Sequence, residues 1–354
     1  MRSRENARTG HGTRVRFAWC AVACAALLGT SLTAGAAVRE VTVLNTGTAH
    51  RDLYDMEMTA SGHGLAVGGL GTILVTEDGG ETWGFTHYPT RRALFGVAIA
   101  GDTTVISGQG GLILMRQGRD GPWQKIPSGT QQRLLSVDLN QAGFGVIVGT
   151  FGTLLRTTDG GKTWALANMN LAEHVEGYYN PHLNRVQVLA DGAAVVVGEF
   201  GLVLRTSDKG ATWTFARKAE KRNSSLYGLD IRDSGLGYAV GQQGVVLRTH
   251  DAGKTWNKVE VGSSGNFLGV CISDDGTITV PGMRHMVVSD DDGKSWTQVT
   301  AGDVNAMWYM DASCTDHGVL AVGHTTRVIR ISKPGDSAAD SQSAGDQIAA
   351  SGPD

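Results

Sequence analysis

The sequence predicts an all-β protein: a seven-bladed β-propeller of four-stranded blades, with the ring closed by an N-terminal strand pairing into the last blade. Three observations predict it. An eight-residue motif recurs at 76–83, 157–164, 206–213, 249–256 and 289–296, with Ser or Thr first, Asp third, Gly fifth, Thr or Ser seventh and Trp eighth. A glycine that ends an apolar strand recurs at Gly68, Gly108, Gly149, Gly198, Gly241, Gly282 and Gly323, with gaps of 40, 41, 49, 43, 41 and 41 residues. Glycine makes up 50 of 354 residues, against 7 prolines, with no collagen-like triplet. A repeat near forty residues made of short strands and glycine-rich turns is the signature of propeller blades.

The elements follow in order. Arg2, Arg4, Arg8, Arg14 and Arg16 precede an apolar run over 17–33, and Ala34-Gly35-Ala36 forms a small-x-small cleavage site. Residues 1–36 are expected to be a signal peptide, so export to the periplasm is expected. An uncleaved anchor and a lipidated Cys24 fit less well, because the run is short and its flanks do not match. The chain's 31 basic and 34 acidic residues lose five and one with the leader, leaving 26 and 33, a net charge of −7. That balance argues against nucleic acid as a partner. The leader aside, two cysteines remain, Cys271 and Cys314, in neighbouring repeats at non-equivalent positions. The compartment permits a disulfide, but the spacing does not indicate one.

Val38, Val41, Val43 and Leu44 mark a strand with no motif before it. Each later unit has one grammar, clearest in blade 5. An apolar segment (226–231) leads to a strand ending in glycine (237–241), a Gly-x-x-Gly turn, a third strand (245–248), the motif, and a fourth strand from Thr255. The seventh unit has three strands and no motif, so the orphan strand is expected to complete it and remove an exposed edge. The propeller is expected over 37–333, and 334–354, poor in large apolar residues, is expected to be a disordered acidic tail.

The motif resembles the Asp-boxes of bacterial neuraminidase (BNR) repeats. Its Asp accepts turn N–H bonds, its Gly accepts positive φ, and its Trp buries a large ring. Asp78 and Trp83, Asp159 and Trp164, Asp208 and Trp213, Asp251 and Trp256, and Asp291 and Trp296 are therefore expected to be structural fasteners. Blade 2 departs from the pattern: residues 116–123, Arg-Gln-Gly-Arg-Asp-Gly-Pro-Trp, keep the Trp but lose the Ser/Thr–Asp spacing. A looser outer turn is expected there.

Candidate partner-binding residues lie where repeats differ. Arg156, Arg205 and Arg248 stand one residue before a box, and Arg330 takes the same slot in blade 7. They form either a basic patch for an acidic partner or, as the favoured reading, local pairs with their own box Asp or caps on a carbonyl. The stretch from Trp164 to Gly198 is 34 residues, where other blades need 25 to 28, and it carries His174, Tyr178 and Tyr179 with Glu173, Glu176 and His182. Its irregular spacing makes a protein surface a better expectation than a metal. Arg284 and the pair His324 and Arg327 lie where the Gly-x-x-Gly turn fails. No metal, cofactor or catalytic residue is expected.

With Gly-Tyr-Ala-Val-Gly at 237–241 and the Arg-Thr-x-Asp form at Arg156, Arg205 and Arg248, residues 38–332 are similar to the photosystem II assembly/stability factor family. That resemblance implies a non-enzymatic, monomeric propeller that binds a protein client, newly made reaction-centre protein, at the thylakoid membrane. Relatives in non-photosynthetic bacteria have no such client, so the resemblance implies an assembly or stability role at a membrane or envelope complex. The location it implies is the periplasm, or the thylakoid lumen in a photosynthetic source. The alternative is a sialidase-like or other glycoside hydrolase or glycan-binding propeller. It lacks an N-terminal Arg-Ile-Pro element and a recognisable Tyr–Glu pair, and Lys125-Ile126-Pro127 is misplaced.

Overall fold

A computed structural model describes residues 39–47, 51–167, 169, 171–175, 180–220 and 224–332. The expected signal peptide, the expected tail, and Tyr178 and Tyr179 lie outside the described residues. Seven antiparallel four-stranded sheets follow one another along the chain. Six are built in sequence order; the seventh runs Tyr309–Thr315, Gly318–Gly323, Arg327–Ile331 and then Val41–Asn45. Val41 faces Ile331 and Val43 faces Ile329, so the N-terminal strand closes the ring as its repeat grammar predicts.

Second strands such as Gly145–Gly149 and Ala194–Gly198 are buried at every residue. A blade is covered on both faces by its neighbours, so these strands read as continuous apolar runs. The core is correspondingly seven clusters, each shared by two adjacent blades. Phe144, Val146 and Leu154 of blade 3 pack on Leu183, Val196 and Leu204 of blade 4. The closing cluster joins Leu53, Ala66 and Leu74 of blade 1 to Leu320, Val322 and Val328 of blade 7.

The innermost strands, Leu53–Met58, Leu94–Ala100, Leu134–Leu139, Leu183–Val188, Leu226–Ile231, Cys271–Ile272 and Tyr309–Thr315, surround a central channel. Cys271 and Cys314 form a disulfide between the innermost strands of blades 6 and 7, with Cα atoms 5.8 Å apart. Repeat spacing did not indicate this bond. The two cysteines are out of step in sequence, but innermost strands converge at the axis and bring them together.

The disulfide spans 43 residues, so by chain entropy its loss costs roughly 2–4 kcal/mol. Calorimetry of Cys271→Ala/Cys314→Ala is expected to show a lower melting temperature, and dithiothreitol is expected to lower the parent but not the variant.

Candidate functional site

The five boxes share one Ser/Thr–Asp clamp. In blade 4, Thr206 Oγ1 donates to Asp208 Oδ1 (2.7 Å) and accepts from the N–H of Gly210 (3.0 Å). Asp208 also accepts from the amide and hydroxyl of Thr212 (2.9 and 2.6 Å). These donors, the Thr212 hydroxyl foremost, hold the Asp208 carboxyl down at about 2; Ser295 does the same for Asp291. Trp83, Trp164 and Trp256 donate Nε1–H to the carbonyl of the box glycine at 2.9 to 3.1 Å. Each box carboxylate is consumed by its own turn, so its chemistry is structural.

The arginine slot works between blades. Arg156 donates Nε–H to the carbonyl of Lys209, inside the next blade's box. Arg205 does the same to Ala252 at 2.9 Å. Arg330 ion-pairs with Glu81 of the blade 1 box at 2.6 Å. Arg248 stands beside the Tyr238 hydroxyl, which donates to the carbonyl of Asp292 in the blade 6 box. Arg156 and Arg205 do cap carbonyls, but the partner box is the next blade's. A guanidinium is long enough to cross the gap, whereas its own box Asp is already saturated.

The opposite face gathers the turns between second and third strands and the loops between blades. Gly69 N–H bonds the Asp52 carbonyl, Thr150 that of Arg133, and Gln242 that of Ser225, tying each turn to the start of its own innermost strand. Equivalent turn residues Leu70, Phe151, Phe200, Gln243, Arg284 and Thr325 all have φ between 55° and 59°. Tight hairpin turns need positive φ at this place, which favours Asn, Asp or Gly. Bulky residues there are strained, by about 1–3 kcal/mol each, and such outliers cluster at functional sites. Leu70 and Phe151 are more than half exposed (51% and 53%).

A second ring lies inside the first. Ladder register slips after Leu53, Leu94, Leu134, Leu183, Leu226 and Tyr309. The bulged residues are Tyr54, Phe95, Leu135, Asn184, Tyr227 and Met310, all half-buried, and Leu268 holds the matching place in blade 6. Bulges re-aim side chains. Here they form a largely apolar collar at the start of the innermost strands, with Tyr54 and Phe95 in ring contact at 5.5 Å. Trp308, 42% exposed, adjoins it.

Of the predicted residues on this face, Arg284 is exposed, and the exposed His174 ring lies 4.7 Å from that of Phe215. His324 meets Asp52 at 2.8 Å, and Arg327 ion-pairs with Asp303 at 2.5 Å. The structure thus places His174, Arg284, His324 and Arg327 on one face and Arg156, Arg205, Arg248 and Arg330 on the other. Sequence reasoning missed the collar. Its signal was the residue after each first-strand apolar anchor, at a period near forty.

The channel, about 280 Å³, is polar. The N–H of Val97 donates to Asp55 (2.8 Å), Val188 to Asp138 (2.6 Å), Ile231 to Gln187 (2.7 Å), Ile272 to Asp230 (2.7 Å) and Met56 to Asp311 (3.3 Å). Each bond crosses from one innermost strand to the next. Arg185 reaches across the channel to both Asp55 and Asp311, with the Asp311 contact at 3.1 Å. Burial pushes Asp138 up to about 6, against the N–H bonds of Val188 and Leu139. Burial also raises Glu57, with Asp138 and Asp55 adding repulsion, and raises Asp230.

Residues 115–224 match the family model described as photosynthesis system II assembly factor YCF48. Over these residues the chain is similar to that family. The matched stretch covers the boxes of blades 3 and 4, Arg156, Arg205 and the insertion. A solved structure titled "YCF48 bound to D1 peptide" superposes on this propeller at TM-score 0.65 and 19% identity, covering 83% of this chain and 97% of its own. YCF48 of Cyanidioschyzon merolae gives 0.64, 18%, 83% and 98%. Virginiamycin B lyase of Staphylococcus aureus gives 0.70 at 9% identity, covering 83% and 99%. At these identities the structural matches establish the shared ring architecture. No curated protein matches the sequence.

Two outcomes are expected of this propeller. Arg205→Ala should lower stability by about 1–2 kcal/mol in chemical denaturation, since it removes one charge-assisted latch to a neighbouring carbonyl. For the channel, a carboxyl whose folded pKa is raised favours folding below its unfolded pKa, and that contribution is lost as pH rises through the folded value. Between pH 4 and 7, Asp138 should therefore make stability fall with rising pH, by up to about 3 kcal/mol. Asp138→Asn keeps an acceptor for Val188 and should flatten that slope in urea titrations at pH 4, 5, 6 and 7.

Proposed function

We propose that this chain is a non-catalytic, exported propeller that binds a protein client and assists assembly or stability of a membrane or envelope complex. The observation that carries the reading is the collar face: six strained turn residues surround a ring of half-buried apolar side chains. Exposed apolar clusters on a rigid scaffold mark protein-binding surfaces. The cost of holding Leu70, Phe151 and Phe200 at positive φ implies selection for what these side chains contact. The family match and the D1 peptide bound by a YCF48 structure support a polypeptide client. His174 and Arg284 are on the same face and add polar contacts at its rim. The box-face arginines are engaged between blades and serve the scaffold first. Export rests on the leader-like N-terminus.

Photo-crosslinking tests the assignment. With p-benzoylphenylalanine at 151 or 200, the protein returned to its source envelope is expected to give one discrete adduct, and at Lys162, on the box face, none. Equal adducts from both faces, or hydrolysis of aryl sialosides at enzyme-like rates, would sink the reading. Phe151→Asn/Phe200→Asn is expected to abolish the adduct formed from a probe at 70.

A further inference from the structure

Blade 2 carries a site that the other blades lack. In the five intact boxes the first residue is a Thr or Ser whose hydroxyl receives the N–H of the fifth, as Thr157 does from Gly161 at 3.1 Å. In blade 2 that position is Arg116, and Gly118, Asp120 and Pro122 stand where the Asp, Gly and Thr would be. The clamp cannot form, and the Arg116 side chain takes its place. Arg116 is 6% exposed, and its guanidinium carbon lies 4.7 Å above the Trp123 ring.

Stacking on an indole satisfies the face of a guanidinium and leaves its N–H fork in the plane. Nε and Nη2 of Arg116 are buried with no hydrogen-bond partner. Buried donors without partners are costly and uncommon in folded proteins. Burial lowers the Arg116 pKa, and nearby Asp120 and Glu77 offset this in part. Neither carboxylate bonds it: Glu77 is held by His63 at 2.8 Å and by Arg119 at 3.0 Å. An open groove of about 590 Å³ reaches Arg116 between blades 1 and 2, with Trp123, Pro122, Tyr88, Pro89 and His87 along its walls.

We propose that this groove is a binding site for a side-chain carboxylate of an acidic peptide segment. A carboxylate matches the planar fork, which donates paired N–H bonds to it, and the rings and prolines suit the apolar body of an extended chain. The intact boxes of blades 1 and 3 to 6 offer no such cation, because a hydroxyl fills the position. The site is distinct from the collar and does not rest on the client reading.

The test exploits the repeat itself. Arg116→Thr/Gly118→Asp/Asp120→Gly/Pro122→Thr restores the residue types of the missing box and removes the cation. A fluorescein-labelled amidated peptide Leu-Glu-Pro-Glu-Leu is titrated by fluorescence polarisation, beside its Gln twin. The parent protein is expected to bind the Glu peptide at least tenfold more tightly than the Gln twin. The rebuilt variant should lose at least tenfold in Glu-peptide affinity. Arg116→Lys, which keeps charge but not the fork, should fall between, and it carries the comparison if the rebuilt variant does not fold. In the parent, the Arg116 Nε–H resonance should shift on titration. No binding by the parent, equal binding of the two peptides, or unchanged affinity in both variants overturns the proposal. Stronger competition by inorganic phosphate than by acetate would also overturn it, since the fork would then favour a phosphate.

Discussion

A propeller must do something about the inner edge of its innermost strands. Each blade's first strand pairs on one side only, and its other side faces the channel with free N–H groups. An unpaired backbone group away from bulk water is expensive. Here side chains of the preceding blade supply the acceptors: Asp55 to Val97, Asp138 to Val188, Asp230 to Ile272, Asp311 to Met56, with Gln187 serving Ile231. Between blades 6 and 7 a disulfide does the joining. Between blades 2 and 3, Gly96 lets the backbones approach: a Cβ there would lie 2.9 Å from the Val137 nitrogen. The acidity of the channel is thus a by-product of edge satisfaction, and Arg185 offsets part of it by spanning to Asp55 and Asp311.

The outer rim uses a similar principle with different parts. Arg156 and Arg205 reach forward to carbonyls of the next box, and Tyr238 does so in blade 5. Apolar clusters between blades are non-directional and permit sliding. Polar contacts at the axis and at the rim fix the rotation of one blade against the next.

Much of the architecture was legible in the sequence because a repeat states its grammar several times. The five boxes, the strand-ending glycines and the missing fourth strand of the last unit fixed blade number and closure. What depended on contact between repeats was hidden. Linear proximity points Arg205 at its own box Asp208, yet that carboxylate is filled by Thr206 and Thr212 and the guanidinium goes to Ala252. Cys271 and Cys314 look mismatched in repeat register, although the axis brings their strands together. The collar escaped notice because Tyr54, Phe95, Leu135 and Tyr227 read as ordinary strand residues; only a bulge turns them outward. Blade 2 was visible as a lapse, but the stack of Arg116 on Trp123 was not.

The closing strand also sets an order of events. Blades 1 to 6 are each made of contiguous hairpins, so each sheet can form as soon as its own forty or so residues are available. The last sheet cannot: Val41 must find Ile331, and Thr42 must find Arg330, nearly three hundred residues away. Closing so long a loop is entropically slow, and contacts of this separation delay folding. Until the final hairpin arrives, blade 1 keeps an uncovered apolar face, Leu53, Ala66 and Leu74 among it. The ring is therefore an all-or-none object in time, and its period of greatest vulnerability to proteolysis and aggregation falls just before the last blade is made.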